Sequence, residues 1–405
     1  MVTSLERPER LTAAHAPPKT TTPTLLERAR RVAIETARLH ADDVDRQARF
    51  PEEAIDALKK ERLLSAGIPR ELGGGGADIA ELATLCEELA QECAATGMIY
   101  AMHVIQVACI VRHHGNVPFF TQYLREICEK QLLLASVTSE MGVGGEMRMS
   151  KAAVTRAGGR YSVEKEATTI SYGAQADGLL LTARASEEAA PGDQVLVVLS
   201  NGDYTLEQKS SWDTLGMRGT CSPGFHVRAS GPEERILPVC FGIIASETMV
   251  PFSHVLWSSC WLGIATSALA RARAFVRMQA RSKPGFIPPG ALRLAEASTQ
   301  LQLMGTNVYD VAQECQRLMS RPDGEDTLSS IGIALKMNNL KVSSSQLVVD
   351  IVQRALAICG IHGYRNDSSF AVGRHLRDAL SAALMIANDR ILGNNASLLL
   401  VLKDD

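Results

Sequence analysis

The sequence predicts an α+β protein in which helices come first, strands second and helices again last, and its texture changes twice to say so. Up to about residue 134 apolar residues recur every three or four positions. Between about 135 and 235 they cluster in short runs broken by glycine and proline turns, and after about 250 long helical stretches return. Segregated runs of one kind exclude a parallel sheet built of alternating strands and helices. The divisions expected are a mobile leader over 1–23, an N-terminal helical domain over 24–134, a central β domain over 135–248 and a C-terminal helical bundle over 249–405.

The leader is expected because PP and TTTPT carry no periodic pattern. In FPEEAIDALKKERLL, Pro51 suits a first helical position, and Glu52 and Glu53 place negative charge in the first turn, where the helix end is positive. IPRELGGGG breaks that helix. Ile79, Leu82, Leu85 and Leu89 then form one apolar stripe of a second. In the middle section YSVEKE, GLLLTARA, QVLVVLS and FHVRAS read as strands, separated by GG, PGD, NGD and GPEE turns. WSSCWLGIATSALARARAFVRMQAR opens the last section, its small residues letting helices approach closely, and further helices are expected near 290–320, 328–358 and 371–400.

Composition narrows the function. A net charge of −3 offers no basic surface for nucleic acid or for an anionic membrane. Hydrophobic residues at 46% and charged residues at 21% are those of a globular chain. No run of about 18 apolar residues and no basic-then-apolar start is present, so a cytoplasmic protein with no membrane partner is expected. The nine cysteines lack C-x-x-C spacing and read as buried small side chains, with no metal site. GVGGEM, from Gly142, lacks the third glycine and the long helix of a dinucleotide fingerprint.

With these strings in place, residues 24–400 resemble the acyl-CoA dehydrogenase family, through FPEEAIDALKKERLLSAGIPRELGGGGADIAEL and TGMIYAMH in the first section. The resemblance implies a central β-barrel or sandwich domain, a C-terminal four-helix bundle, and FAD held between them. SVTSEMGVGGE resembles the family's T-E-P-x-x-G-S-D flavin loop, with Ser139, Glu140, Gly144, Gly145 and Glu146 on matching positions; Gly145 replaces the usual serine. Glycines let backbone N–H groups approach a pyrophosphate, and a hydroxyl donates to a flavin ring atom. TTISYGAQAD resembles W-I-T-N-G-x-x-A-D, with Ser171 for the threonine that contacts the flavin and Thr169 for the indole that shields it.

WDTLGMRGTCSPGFHV resembles the G-M-R-G-(S/T)-x-S region beside the substrate entrance, where Arg218 contacts an acyl carrier or solvates a turn. ARSKPG resembles R-x-x-F-G, giving Arg281 an anion-pairing role toward a neighbouring subunit's cofactor. CGIHGY resembles C/F-G-G-x-G-Y, so Gly360 and Gly363 are expected near the cofactor, with His362 a turn residue.

The implied reaction oxidises an acyl thioester, on CoA or on an acyl carrier protein, to the enoyl thioester. A carboxylate takes the α-proton, a hydride passes to flavin N5, and the electrons go on to an electron-transfer flavoprotein. The family's glutamate base follows an R-D-A string, kept here as Arg377, Asp378 and Ala379, but LSAALMIANDRILGNN holds no glutamate. Ile386, Asn388 or Asp389 falls at its position, and of these only Asp389 accepts a proton. A base on the earlier long helix would match Ser253, with His254 adjacent; His103 is a further candidate at the substrate. Relatives of this architecture that hydroxylate with reduced flavin and oxygen need no such base, so a two-component monooxygenase is the alternative. A homodimer or homotetramer is expected.

Overall fold

The computed structural model describes residues 23–282, 285–321 and 323–402. The expected leader, Pro23 apart, lies outside the described residues. Six helices come first: α1 (Leu25–Val32), α2 (Arg38–Gln47), α3 (Glu52–Lys60), α4 (Ile79–Glu92), α5 (Ala94–His113) and α6 (Pro118–Lys130). Capping boxes start two of them, Thr24 with Glu27 and Asp78 with Glu81, each side chain satisfying an amide the helix leaves bare. α3 begins one residue after Pro51, which acts as its cap. α5 and the later helix Ile331–Cys359 are long and apolar enough to cross a membrane, but 89% of the apolar window of α5 is buried inside the fold, so its apolarity serves the core.

Among the described residues seven strands follow: β1 (Leu134–Val137), β2 (Thr155–Ala157), β3 (Arg160–Ala167), β4 (Gly178–Arg184), β5 (Gln194–Ser200), β6 (Tyr204–Gln208) and β7 (Phe225–Pro232). They form two sheets, ordered β1-β4-β5 and β2-β3-β7-β6; β1 runs parallel to β4 and every other pairing is antiparallel. β3 alternates strictly, with Tyr161, Val163, Lys165 and Ala167 inward. That alternation buries a lysine.

The chain then returns to helices: α7 (Phe241–Ile244), α8 (Val250–Ser282), α9 (Gly290–Met319), α10 (Gly324–Leu328), α11 (Ile331–Cys359), α12 (Ile361–Tyr364), α13 (Gly373–Leu380) and α14 (Asn388–Leu399). α8 is the spine, packed along α11 and α9 on one side and α4 on another, which joins the terminal helical regions into one core. The helix expected over 371–400 is two helices. A turn at 381–387 divides them, and Ile386 there adopts φ 52°, a left-handed conformation that ends a right-handed helix.

Candidate active site

A cavity of about 720 Å³ lies between the sheets' edge and the helices, a size that suits a cofactor and a small substrate. Its walls come from α5, the loop after β1, the 168–172 turn, the 212–222 loop, the start of α8 and the segment 377–390. Of the residues expected at a site, Ser139, Gly144, Gly145, Thr169, Ser171 and His254 line it together.

The loop after β1 is held from beneath. Glu140, 6% exposed, accepts from Ser150 Oγ at 2.6 Å, from Lys151 N at 3.0 Å and from Ala152 N at 2.7 Å. Lys165 Nζ lies 3.6 Å from the same carboxylate and donates to the Thr182 carbonyl at 2.7 Å. Burial pulls the Lys165 ammonium down to about 8 against the pull of Glu140. Gly144 and Gly145 have φ of 61° and 77°, open to glycine at little cost, and among the described residues neither amide donates to a backbone carbonyl. Arg390 donates to the Gly144 carbonyl and sits 3.9 Å from Glu146, tying the loop to α14.

Ser139 Oγ donates to the Thr169 carbonyl at 2.6 Å and accepts from Thr169 N at 3.1 Å, lacing the two loops together. Ser222 Oγ donates to Ser171 Oγ at 2.9 Å, which leaves the Ser171 proton free to point into the cavity. The G-M-R-G and R-D-A strings meet each other. Met217 N donates to Asp378 at 2.7 Å, and a Cβ on Gly216 would stand 2.0 Å from the Arg377 carbonyl oxygen, so only glycine fits. Burial raises Asp378 to about 6, with Arg374 and the Met217 amide pulling it down.

His254, on α8, is 2% exposed and its Nδ1 has no partner. Burial, reinforced by the nearby Lys341 charge, lowers the ring to about 4, so it is neutral at pH 7. Gln106 Oε1 and Trp257 Nε1 are buried without partners on the same helical wall.

Other expected site residues lie elsewhere. Asp389 is exposed in the first turn of α14, where a negative charge suits the helix N-terminus, and is not a cavity residue. Ile386 lines the cavity instead. Asn388 is taken by Lys341 Nζ at 2.7 Å and by Ser345. His103 is fully buried: Nδ1 accepts from Leu134 N at 3.0 Å and Nε2 donates to the Leu64 carbonyl at 2.7 Å, so both nitrogens are spent on structure. Arg218 donates to the Asp45 and Thr214 carbonyls at 2.8 and 2.9 Å, which holds its loop on α2. Gly360 ends α11 with φ 57°, Gly363 packs on Cys359, and His362 stacks near Phe275 and Phe370, all outside the cavity. Arg281 is exposed in the last turn of α8.

Sequence reasoning missed Lys165, Lys341, Gln106 and Arg390. The alternation in β3 marks Lys165; the other three carried no local signal.

The cavity fits a flavin: a glycine loop whose amides donate to no backbone carbonyl and a serine with a free proton line one largely apolar space. Comparisons with known proteins agree. Residues 21–131 match the family described as "Acyl-CoA dehydrogenase, N-terminal domain", and residues 242–391 match "Acyl-CoA dehydrogenase, C-terminal domain". Cyclohex-1-ene-1-carbonyl-CoA dehydrogenase of Geobacter metallireducens is 24% identical over 372 residues, covering 90% of this chain and 94% of the relative. Dibenzothiophene monooxygenase of Mycolicibacterium goodii is 24% identical over 331 residues, covering 77% and 78%. The crystal structure of FMN-bound TdsC from Paenibacillus sp. A11-2 superposes with a TM-score of 0.81 at 20% identity, over 93% of this chain and 97% of that one.

Proposed function

Because the chain belongs to the acyl-CoA dehydrogenase family, a family of flavin oxidoreductases acting on CH–CH groups, we propose that its own geometry has moved it to monooxygenation with reduced flavin and oxygen. One observation carries this reading: the carboxylates among the described residues lining the cavity, Glu140 and Glu146, both belong to the glycine loop after β1, and the 377–390 segment, where the family's base is expected, lines the cavity with none. Glu140 is consumed by Lys165, Ser150 and two amides, and Glu146 faces Arg390. Ile386 occupies the wall where a base would stand.

A bound reduced flavin would supply the two electrons that, with two protons, let one atom of O2 enter the substrate while the other leaves as water. The chain's residues hold and shield. Gly144 and Gly145 present amides to a phosphate, Ser171 offers its proton to the ring edge, and the Ser139–Thr169 lacing keeps both loops in register. Met98, Met102, Ile105 and Trp257 exclude water from the substrate side. FAD is the flavin proposed, as the one typical of the family. Arg281, Gly360 and Gly363 act, in this reading, on the cofactor of a neighbouring subunit in a cytoplasmic homo-oligomer.

A second reading, dehydrogenation of an acyl thioester with an electron-transfer flavoprotein as acceptor, is favoured by the family and by His254, a cavity-lining residue whose Nδ1 has no partner. Anaerobic mixing of the flavin-loaded protein with acyl thioesters separates the two. No bleaching, together with oxygen uptake and product hydroxylation when reduced flavin is supplied, is expected. Bleaching by an acyl-CoA would overturn the proposal in favour of the second reading.

A further inference from the structure

We propose that Lys341 is a positioning residue: by holding Ile386 in a left-handed conformation it keeps the 381–387 turn against the cavity and so limits the size of the apolar substrate admitted. The inference rests on the reading that the substrate occupies this cavity, and not on which reaction follows.

Ile386 has φ 52°. Glycine and asparagine visit that region readily, but a β-branched side chain there crowds its own backbone and persists only where the surroundings hold it. Lys341, on α11, supplies the hold. Its Nζ donates to the Ile386 carbonyl and to Asn388 Oδ1, both at 2.7 Å, and Asn388 Nδ2 donates in turn to Ser345 Oγ of the same helix at 3.0 Å. The turn fixed in this way brings Leu384, Met385, Ile386 and Ala387 to the cavity, beside the apolar Met102, Ile105 and Met249. Lys341 acts on that lining from behind, since it is not itself a cavity residue.

Stability alone gives no reason for an ammonium at this position. Lys341 is 0% exposed, its two acceptors are neutral oxygens, and its third neighbour is the Trp261 ring, 5.8 Å from Nζ. Among the described residues no carboxylate pairs with it. Burial pulls it down to about 8, the mark of a charge that costs free energy to keep. Apolar side chains of similar volume commonly replace a buried ion without loss of stability. A methionine of nearly the same length, however, would leave the Ile386 carbonyl unheld and the left-handed turn free to relax.

The test uses the full chain saturated with FAD and two uncharged probes, 2-naphthol and 9-phenanthrol, which differ by one fused ring. Calorimetry gives the ratio of their affinities. Lys341→Met is expected to raise the affinity of the larger probe relative to the smaller about tenfold, roughly the worth of two buried methylene groups. Ile386→Gly should raise the ratio as well, and adding Lys341→Met to it should change the ratio no further, because glycine needs no holding at φ 52°. A ratio unmoved by Lys341→Met, or effects of the two substitutions that simply add, overturns the inference. Should Lys341→Met fail to fold, hydrogen exchange of the parent protein decides. A turn set by Lys341 must exchange its Leu384, Met385 and Asn388 amides as slowly without 2-naphthol as with it, and slowing on binding overturns the inference. A flavin-loaded protein that binds neither probe sinks the reading of the cavity, whereas one that binds both with an unmoved ratio sinks this inference alone.

Discussion

On the β-domain wall of the cavity Glu140 has a partner for each oxygen, Lys165 donates to Thr182, and Ser139 is bonded in both directions to Thr169; on the helical wall His254 Nδ1, Gln106 Oε1 and Trp257 Nε1 have none. Two buried histidines sharpen the contrast. His103 and His254 are both neutral and both lowered to about 4 by burial, yet one has both nitrogens bonded to backbone and the other leaves its buried Nδ1 without a partner. Burial and a shifted pKa therefore do not by themselves separate a structural residue from a functional one. The satisfied wall is a preorganised cradle, and the helical wall keeps buried polar atoms without partners.

The largest effect should come from breaking the satisfied wall. Glu140→Ala leaves Lys165 buried without its counter-charge and should lower stability by about 3–5 kcal/mol in urea unfolding. A milder loss would mean the Glu140 bonds are dispensable.

Acid should act next. The folded values of His103, His113 and His254 lie at about 4, below the ordinary 6.5, so the unfolded chain binds protons more readily. Stability from these rings is complete above pH 6.5 and is lost as pH falls towards 4, by roughly 3 kcal/mol for a fully buried ring. Asp378, raised to about 6, works the other way and offsets part of the loss between pH 6 and 4. Unfolding curves at pH 7 and 5 should show the net decline, and His254→Phe should flatten it.

His103→Leu strands the Leu64 carbonyl and the Leu134 amide, and should cost about 2–3 kcal/mol at pH 7. His254→Phe should change stability at pH 7 by under about 1 kcal/mol, since no strong bond is lost. If the two substitutions cost the same, the distinction between the walls fails. The smallest effect is expected from Ser171→Ala, which removes one donor and should weaken flavin binding about fivefold in a fluorescence titration without altering the unfolding midpoint of the flavin-free protein.

Much of this was legible in the chain. The order of helices and strands follows from apolar periods of 3.6 and 2, which are set within a few residues, and the glycine loop announces its φ angles by its composition. The cofactor side of the cavity was legible for the same reason: Ser139, Gly144, Gly145, Thr169 and Ser171 lie on two short strings that need only one contact to meet.

The substrate side was not legible, because it is decided by residues far apart in sequence. Nothing local distinguishes Asp389 from Ile386; the turn at 381–387, whose Ile386 carbonyl is held by Lys341 from 45 residues away, puts Ile386 on the cavity and Asp389 in solvent. Nor does a local pattern separate His103 from His254, or show Arg218 spent on the backbone of α2. The sequence by itself determined the layers and the glycine cradle, since these depend on near neighbours along the chain. Only the tertiary structure decided which polar atoms end without a partner, because a hydrogen bond is satisfied by whatever the fold brings opposite it.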